Sequence, residues 1–385
     1  MSHQFNIGIV AEWLITWAGA EKVIGECVRI FPDAQLYSVV DFLSENNREL
    51  LNNKDIITTF IQGLPFARKK YQTYLPLMPL AIEQLDVSGH DIILSSSYAV
   101  AKGVLTGPDQ LHISYVHSPV RYAWDLQHQY LHETGLDCGM KGMIARWLLH
   151  KIRMWDYRTA NGVDHFLANS QFIARRIKKV YGRDAEVIYP PVDTHAFTLN
   201  EMKEEYYLTA SRLVPYKRVD LLVEAFSHMP QRRLLVIGDG PEMEKIRKKA
   251  KSNIEILGYQ NDEEMKVYMQ GAKAFLFASV EDFGITPVEA QACGTPVIAL
   301  RRGGACETVR PFGESQATGL FFERQDVASV VDAVERFEKI CHLINPKDCR
   351  MNACRFSGER FRSELSAYVH KKWDMFREMK KINYK

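Results

Sequence analysis

Along the first half of the chain, short unbroken apolar runs alternate with stretches whose apolar positions recur every three or four residues. The runs fall at 6–10, 34–40, 56–60, 91–94, 112–116, 165–168 and 186–189, and each has the length of a strand. Residues 21–30 carry the helical spacing, and a further helix starts at Ser170, a good N-cap residue, and runs to about Tyr181. Strands that are apolar throughout predict a parallel sheet covered on both faces. Pro190-Pro191-Val192-Asp193 breaks the pattern, and a polar stretch continues to about Glu205. The alternation then restarts, with strands expected at 206–210, 234–237, 254–257, 274–278, 297–300 and 319–322 and helices at 220–226 and 242–251. A basic, aromatic-bearing helical pattern covers 352–381. The chain therefore reads as two doubly wound α/β domains, 1–193 and 194–351, followed by a C-terminal segment, 352–385, whose helix packs back on the first domain.

A length of 385 residues suits two cores better than one. The net charge of +2 argues against a dedicated nucleic-acid binder, so no nucleic-acid partner is expected. Seven cysteines without a CxxC pair point to a reducing compartment rather than a disulfide framework. No export signal is visible, and no apolar run approaches the roughly 20 residues a spanning helix needs. The expected location is cytoplasmic, at most peripheral on the inner face of the cytoplasmic membrane.

Candidate chemistry gathers where strands end, because doubly wound sheets bind ligands beyond the carboxyl ends of their strands. Arg212 and Lys217 lie in the loop after the first strand of the second domain; in isolation they also fit a solvated loop. Gly238, in Gly-Asp-Gly-Pro, follows the next strand and equally suits a tight turn. The segment from Glu281 to Glu289 follows a later strand and holds Phe283, Gly284 and Ile285 between its carboxylates. There Thr286, Pro287 and Glu289 read as N-cap, first helical residue and capping-box partner, and Gly294 as the stop. The open start of that short helix also suits a phosphate. In the first domain, Gly19 after the first strand permits close backbone approach, and His117 ends a strand ahead of Ser118-Pro119-Val120-Arg121. No Asp-x-Asp motif offers a metal site, so no metal or other cofactor is expected.

These residues together resemble the GT-B glycosyltransferases of family 4. The resemblance runs through Glu281-x7-Glu289 in EDFGITPVEAQACGTPVIA, ASRLVPYKR with Arg212 and Lys217, GDGP, YPPVD, AGAEKV and YVHSPVRYAWD. It implies two Rossmann-like domains facing across a cleft and transfer, with retention, of a sugar from a nucleotide diphosphate to an acceptor hydroxyl. The last two segments look like bacterial mannosyltransferases of O-antigen or capsule synthesis, implying a GDP-mannose donor. Many relatives have Gly-Gly-Ala-Glu where this chain has Ala18-Gly19-Ala20-Glu21. By the resemblance, Arg212 and Lys217 hold the diphosphate, Glu289 the ribose, and Glu281 lies near the donor sugar beside Phe283, Gly284 and Ile285. His117 reaches the sugar from the first domain. The acceptor implied is a saccharide on a polyprenyl diphosphate. Arg68, Lys69 and Lys70, among apolar neighbours, and the basic run 175–179 read either as a solvated face or as contact with an anionic membrane. Other readings stay open: a UDP-hexose donor, a nucleotide-sugar epimerase of the same architecture, or a nucleotide-sugar-binding regulator.

Overall fold

The structure, a computed structural model, describes residues 5–383. Its contacts divide the chain into two compact units, one reaching to Pro190 and resuming at Phe361, the other spanning Pro191–Arg360.

The first unit is built on β1 (Ile7–Leu14), β2 (Gln35–Asp41), β3 (Ile56–Thr58), β4 (Ile92–Ser97), β5 (Leu111–Val116), β6 (His165–Ala168) and β7 (Ala185–Val187). They pair in parallel in the order β3-β2-β1-β4-β5-β6-β7. Successive residues of β1 serve opposite faces, as a two-residue pleat requires. Ile7, Ile9 and Ala11 join Val23, Ile24 and Cys27 of helix Gly19–Ile30. Val10 packs instead with Val39, Ile82 and Ile93 on the other face. That double coverage is why the strand sequence is apolar without alternation.

The last helix, Gly358–Asn383, lays Phe361, Leu365, Val369 and Trp373 onto the first of these faces at helical spacing. Lys372 pairs with Glu186 at 2.9 Å and Lys380 with Asp109 at 2.7 Å along its flank. The single helical pattern expected from residue 352 is in fact divided. One helix, Pro346–Cys354, ends before Ser357, and the next begins at Gly358. The Phe356 carbonyl accepts from Val192 N at 2.8 Å, outside any helix, and the Ser357 hydroxyl accepts from Arg360 N at 3.3 Å, so the chain restarts with a fresh cap.

Charges inside the first unit are consumed by its own architecture. Glu12, on β1, is buried, and its carboxylate accepts from Ser97 Oγ and from the backbone N–H groups of Tyr98, Ala99, Val100 and Ala101 at 2.7–3.0 Å. The Lys102 ammonium and the Asp156 carboxylate form an ion pair that is 2% and 0% exposed. Trp124 Nε1 and the Tyr181 hydroxyl also donate to Asp156, at 2.7 and 3.0 Å. A buried pair survives only when its remaining polar atoms are satisfied in this way.

The second unit holds β8 (Tyr206–Ala210), β9 (Arg233–Ile237), β10 (Ile254–Gly258), β11 (Ala274–Phe277), β12 (Val297–Leu300) and β13 (Gly319–Phe322). Their parallel order is β10-β9-β8-β11-β12-β13. Helices Val219–Ser227 and Val327–Ile340 close its core through Leu222, Phe226, Val334 and Phe337. Strand order reverses between β8 and β11, so the crevice of this sheet lies beyond their carboxyl ends. In the first sheet the corresponding reversal falls between β1 and β4.

Candidate active site

The loops that follow β8 and β11 meet at that crevice. Lys217 closes a single 3-10 turn, Pro215–Lys217, and its ammonium forms an ion pair with Glu281, which follows β11. The two side chains are 17% and 19% exposed, so the pair is neither sealed in nor fully hydrated. Ser279 Oγ donates to the same Glu281 oxygen at 2.7 Å. Arg212, at the start of the same loop, is exposed and makes no ion pair among the described residues.

Loop geometry explains why these side chains sit where they do. Gly238 has φ +135°, and a Cβ there would stand 1.8 Å from the Ser211 carbonyl oxygen. Only glycine lets the turn after β9 approach the β8 loop so closely. The Leu213 N–H donates to Asp239 O at 2.9 Å, and Glu242 N donates to Leu213 O at 3.0 Å, lacing the turns together. Gly238 is thus a scaffold for the loop carrying Arg212 and Lys217.

The capping box expected at Thr286 is not what forms. Helix Ile285–Ala292 begins two residues earlier, with Gly284 as N-cap in the left-handed region at φ +85° and with no side-chain cap bond. Glycine takes that conformation without strain, so the helix needs no Thr286 cap and Glu289 stands one turn in, half-exposed. Among the described residues the N–H groups of Gly284 and Ile285 meet no acceptor. They lie three and four residues after Glu281, at the positive end of the helix. Phe283 is buried, its ring edge-on to Phe356 at 5.3 Å. Gly294, at φ +76°, ends the helix as expected.

Two glycines escaped the sequence reading. Gly304 N donates to Glu281 O at 2.8 Å, and a Cβ on Gly304 would fall 2.3 Å from Phe283 Cα. A Cβ on Gly303 would fall 2.4 Å from Glu281 O. Arg301-Arg302-Gly303-Gly304, directly after β12, is therefore the cradle of the Glu281–Phe283 loop. The adjacent glycines were the available signal, though nothing local says what they approach. Ser279 carries no motif at all.

In the first unit, His117 follows β5 and is half-buried, its Nε2 2.8 Å from Ser96 Oγ and its ring edge-on to Tyr115. Burial, reinforced by the Arg121 charge, pushes its pKa down to about 3, so the imidazole is neutral at pH 7. The Arg121 Nε donates to Ser118 Oγ at 3.3 Å. Gly19 is the first residue of helix Gly19–Ile30, whose N-cap Ala18 donates its N–H to Glu21 at 3.1 Å. Burial raises the pKa of Glu21. Arg68, Lys69 and Lys70 all lie exposed on the one-turn helix Ala67–Lys70. The basic run at 175–179 is less open than its sequence implies, since Arg176 pairs with Asp125 and Lys178 with Asp184.

Parallel doubly wound sheets in tandem, with cations and a helix start at the switch point of the second, define the GT-B class of sugar-nucleotide folds. Residues 17–196 match the family model described as Glycosyltransferase Family 4, and residues 193–353 that described as Glycosyl transferases group 1. The chain belongs to glycosyltransferase family 4. A Corynebacterium glutamicum GDP-mannose-dependent monoacylated alpha-(1-6)-phosphatidylinositol monomannoside mannosyltransferase is 32% identical over 196 residues, 43% of this chain and 50% of that protein. A Mycobacterium tuberculosis GDP-mannose-dependent alpha-(1-6)-phosphatidylinositol monomannoside mannosyltransferase is 31% identical over 208 residues, 46% of this chain and 53% of that protein. The chain thus spans about half the length of the curated relatives it matches. Among solved structures, sucrose-phosphate synthase from Thermosynechococcus elongatus aligns with a TM-score of 0.71 at 17% identity, covering 96% of this chain and 100% of its own. Anabaena Alr3699/HepE in complex with UDP aligns at 0.68, also at 17% identity, covering 95% and 100%. At that identity the likeness establishes the fold.

Proposed function

We propose that this chain is a hexosyltransferase that moves mannose from GDP-mannose to a hydroxyl of a saccharide acceptor, with retention and without a metal. The observation that carries the proposal is the Lys217–Glu281 pair at the switch point, beside the start of helix Ile285–Ala292. Transfer breaks the bond between the sugar's C1 and the β-phosphate oxygen and forms one between C1 and the acceptor oxygen. The acceptor's proton passes to the departing phosphate. Negative charge grows on that phosphate as the bond breaks, and preorganised positive groups lower the barrier most when aimed at it.

Arg212, Lys217 and the Gly284 and Ile285 amides are assigned that task, with Gly238 holding the loop that carries the two cations. Lys217 turns from Glu281 to the diphosphate when the donor arrives, and the freed Glu281 faces the sugar beside Phe283. Glu289 holds the ribose hydroxyls. Gly19 leaves room for the phosphates, and a neutral His117 accepts from or donates to a sugar hydroxyl. The mannosyl assignment is supported by the GDP-mannose dependence of the relatives named above.

We assign the acceptor to a polyprenyl-diphosphate-linked saccharide on the inner face of the cytoplasmic membrane, as in bacterial O-antigen or lipopolysaccharide assembly. Arg68, Lys69, Lys70 and Arg121 supply positive charge on the first unit for it. A thermal-shift panel of GDP- and UDP-sugars tests the donor. Selective stabilisation by GDP-mannose is expected, whereas stabilisation by a UDP-hexose alone overturns the donor assignment. Product analysis then tests the reaction. Epimerised sugar nucleotide in the absence of acceptor, or binding without turnover on any acceptor, overturns the transferase reading.

A further inference from the structure

Helix Gly139–Thr159 of the first unit differs from an ordinary surface helix in carrying large apolar residues on its outer face as well as its inner one. A surface helix buries its apolar stripe and shows polar residues to water. Here Gly142, Ile152, Asp156 and Thr159 are buried, while the exposed residues include Met140 (74% exposed), Met143 (64%), Ile144 (54%), Trp147 (58%), Met154 (54%) and Tyr157 (53%). These six share one face, interrupted by His150 and Lys151 between Trp147 and Met154, and the face runs along about 25 Å of helix at 1.5 Å per residue. Positive charge accompanies it. Lys141 and Lys151 are exposed and form no ion pair among the described residues, and the Lys151 ammonium sits over the Trp147 ring at 5.6 Å. The helix's own acidic residue, Asp156, is buried against Lys102.

The neighbouring segment shows the same mixture. Leu75 packs with Leu149 around Ile152, and Trp155 Nε1 donates to Glu83 at 2.7 Å, which sets residues 66–83 beside the helix. That segment exposes Phe66 (76%) and Leu80 (53%) next to Arg68, Lys69 and Lys70. Phe66 holds φ +58°, a left-handed conformation that costs a bulky residue, and it spends that cost on an outward ring.

We infer that this face of the first unit, helix Gly139–Thr159 with the Phe66–Leu80 segment, lies on an anionic lipid bilayer, the apolar stripe entering the interface and the cations meeting lipid phosphates. Charge selects this occupant: apolar anchors interleaved with unpaired cations fit an anionic interface. No described helix is long and apolar enough to cross a membrane, so the contact is with the surface. The inference rests on the lipid-linked acceptor proposed above and specifies where the bilayer is met.

The test is co-sedimentation of the full chain with phosphatidylglycerol-containing vesicles, against pure phosphatidylcholine vesicles, over a salt series. Binding to the anionic vesicles that weakens with salt is expected, reduced at least tenfold in the double variant Ile144→Glu/Trp147→Glu and severalfold in Lys141→Ser/Lys151→Ser. Far-ultraviolet circular dichroism and the melting midpoint show that each variant is folded, and turnover on a water-soluble acceptor stays at the wild-type rate. No vesicle binding at any salt overturns the inference, as does equal binding by the folded double variant. A self-associated species in sedimentation velocity that Trp147→Glu dissolves also overturns it, in favour of a second copy. Failure of turnover on every acceptor with vesicle binding intact strikes the transferase reading and leaves this surface standing.

Discussion

The two units share a topology and use their charges in opposite ways. At the switch point of the first sheet, Glu12 is buried and saturated by hydrogen bonds, and one helix away Lys102 and Asp156 are sealed together. At the switch point of the second, Lys217 and Glu281 hold each other in a partly hydrated site, and Arg212 is left to solvent. Taking a charge fully out of water is tolerable only with permanent partners, and such a group cannot be lent to a ligand. A pair that keeps some water can exchange its partner for a diphosphate. Exposure, more than residue type, therefore separates charges that build the fold from charges available for binding.

Removing charges one at a time breaks or sharpens that contrast. The largest effect is expected for Lys102→Met, which strands Asp156 in the interior. It should cost about 3–5 kcal/mol of stability, read by denaturant unfolding, and leave GDP affinity of the folded fraction unchanged. Lys217→Ala should do the reverse, lowering turnover roughly 10²–10³-fold with little change in melting midpoint. If Lys217→Ala instead destabilises the chain and spares turnover, the contrast fails. Glu289→Ala should raise the donor KM about tenfold with a smaller change in kcat, because a ribose contact is equally strong in ground and transition states. Steady-state kinetics with varied donor separates the two constants.

The smallest effect is on pH dependence and belongs to the first unit. His112 is buried, Nε2 2.9 Å from Ser95 Oγ, and burial lowers its pKa to about 4, while that of His117 falls to about 3. Both folded values lie below the unfolded value near 6.5, so the unfolded chain takes up protons first as the solution is acidified. Their stabilisation is complete above about pH 6.5 and is lost as pH falls toward 4 and 3. The melting midpoint should drop between pH 7 and 5, and His112→Gln should flatten that drop. A midpoint rising over this interval would contradict the assignment.

Much of the fold was legible because parallel strands buried on both faces leave short continuous apolar runs, and the second-unit strands fall within a residue or two of those runs. Helix Gly139–Thr159 was not legible, for the reason that makes it interesting. Its apolar residues occupy the inner and outer faces alike, so no single stripe marks it. Residues 60–83 form four short helical turns, with Pro65 between the first two and Pro76 inside the third, too brief for periodicity to register. At the candidate site, Arg212, Lys217 and Glu281 were visible as charges at strand ends. Their pairing was not, since Lys217 and Glu281 are 64 positions apart and are brought together only by the sheet order. Gly303 and Gly304 were unreadable for the same reason, because what they approach is backbone from another strand's loop.

Calorimetric titration of GDP into wild-type protein and into Lys217→Ala asks most directly whether the switch point of the second sheet holds a nucleotide diphosphate. The account predicts a single site whose affinity falls about tenfold or more in the variant, as loss of one charge-assisted contact of 1.5–3 kcal/mol requires. Unchanged affinity in a folded Lys217→Ala protein would contradict it.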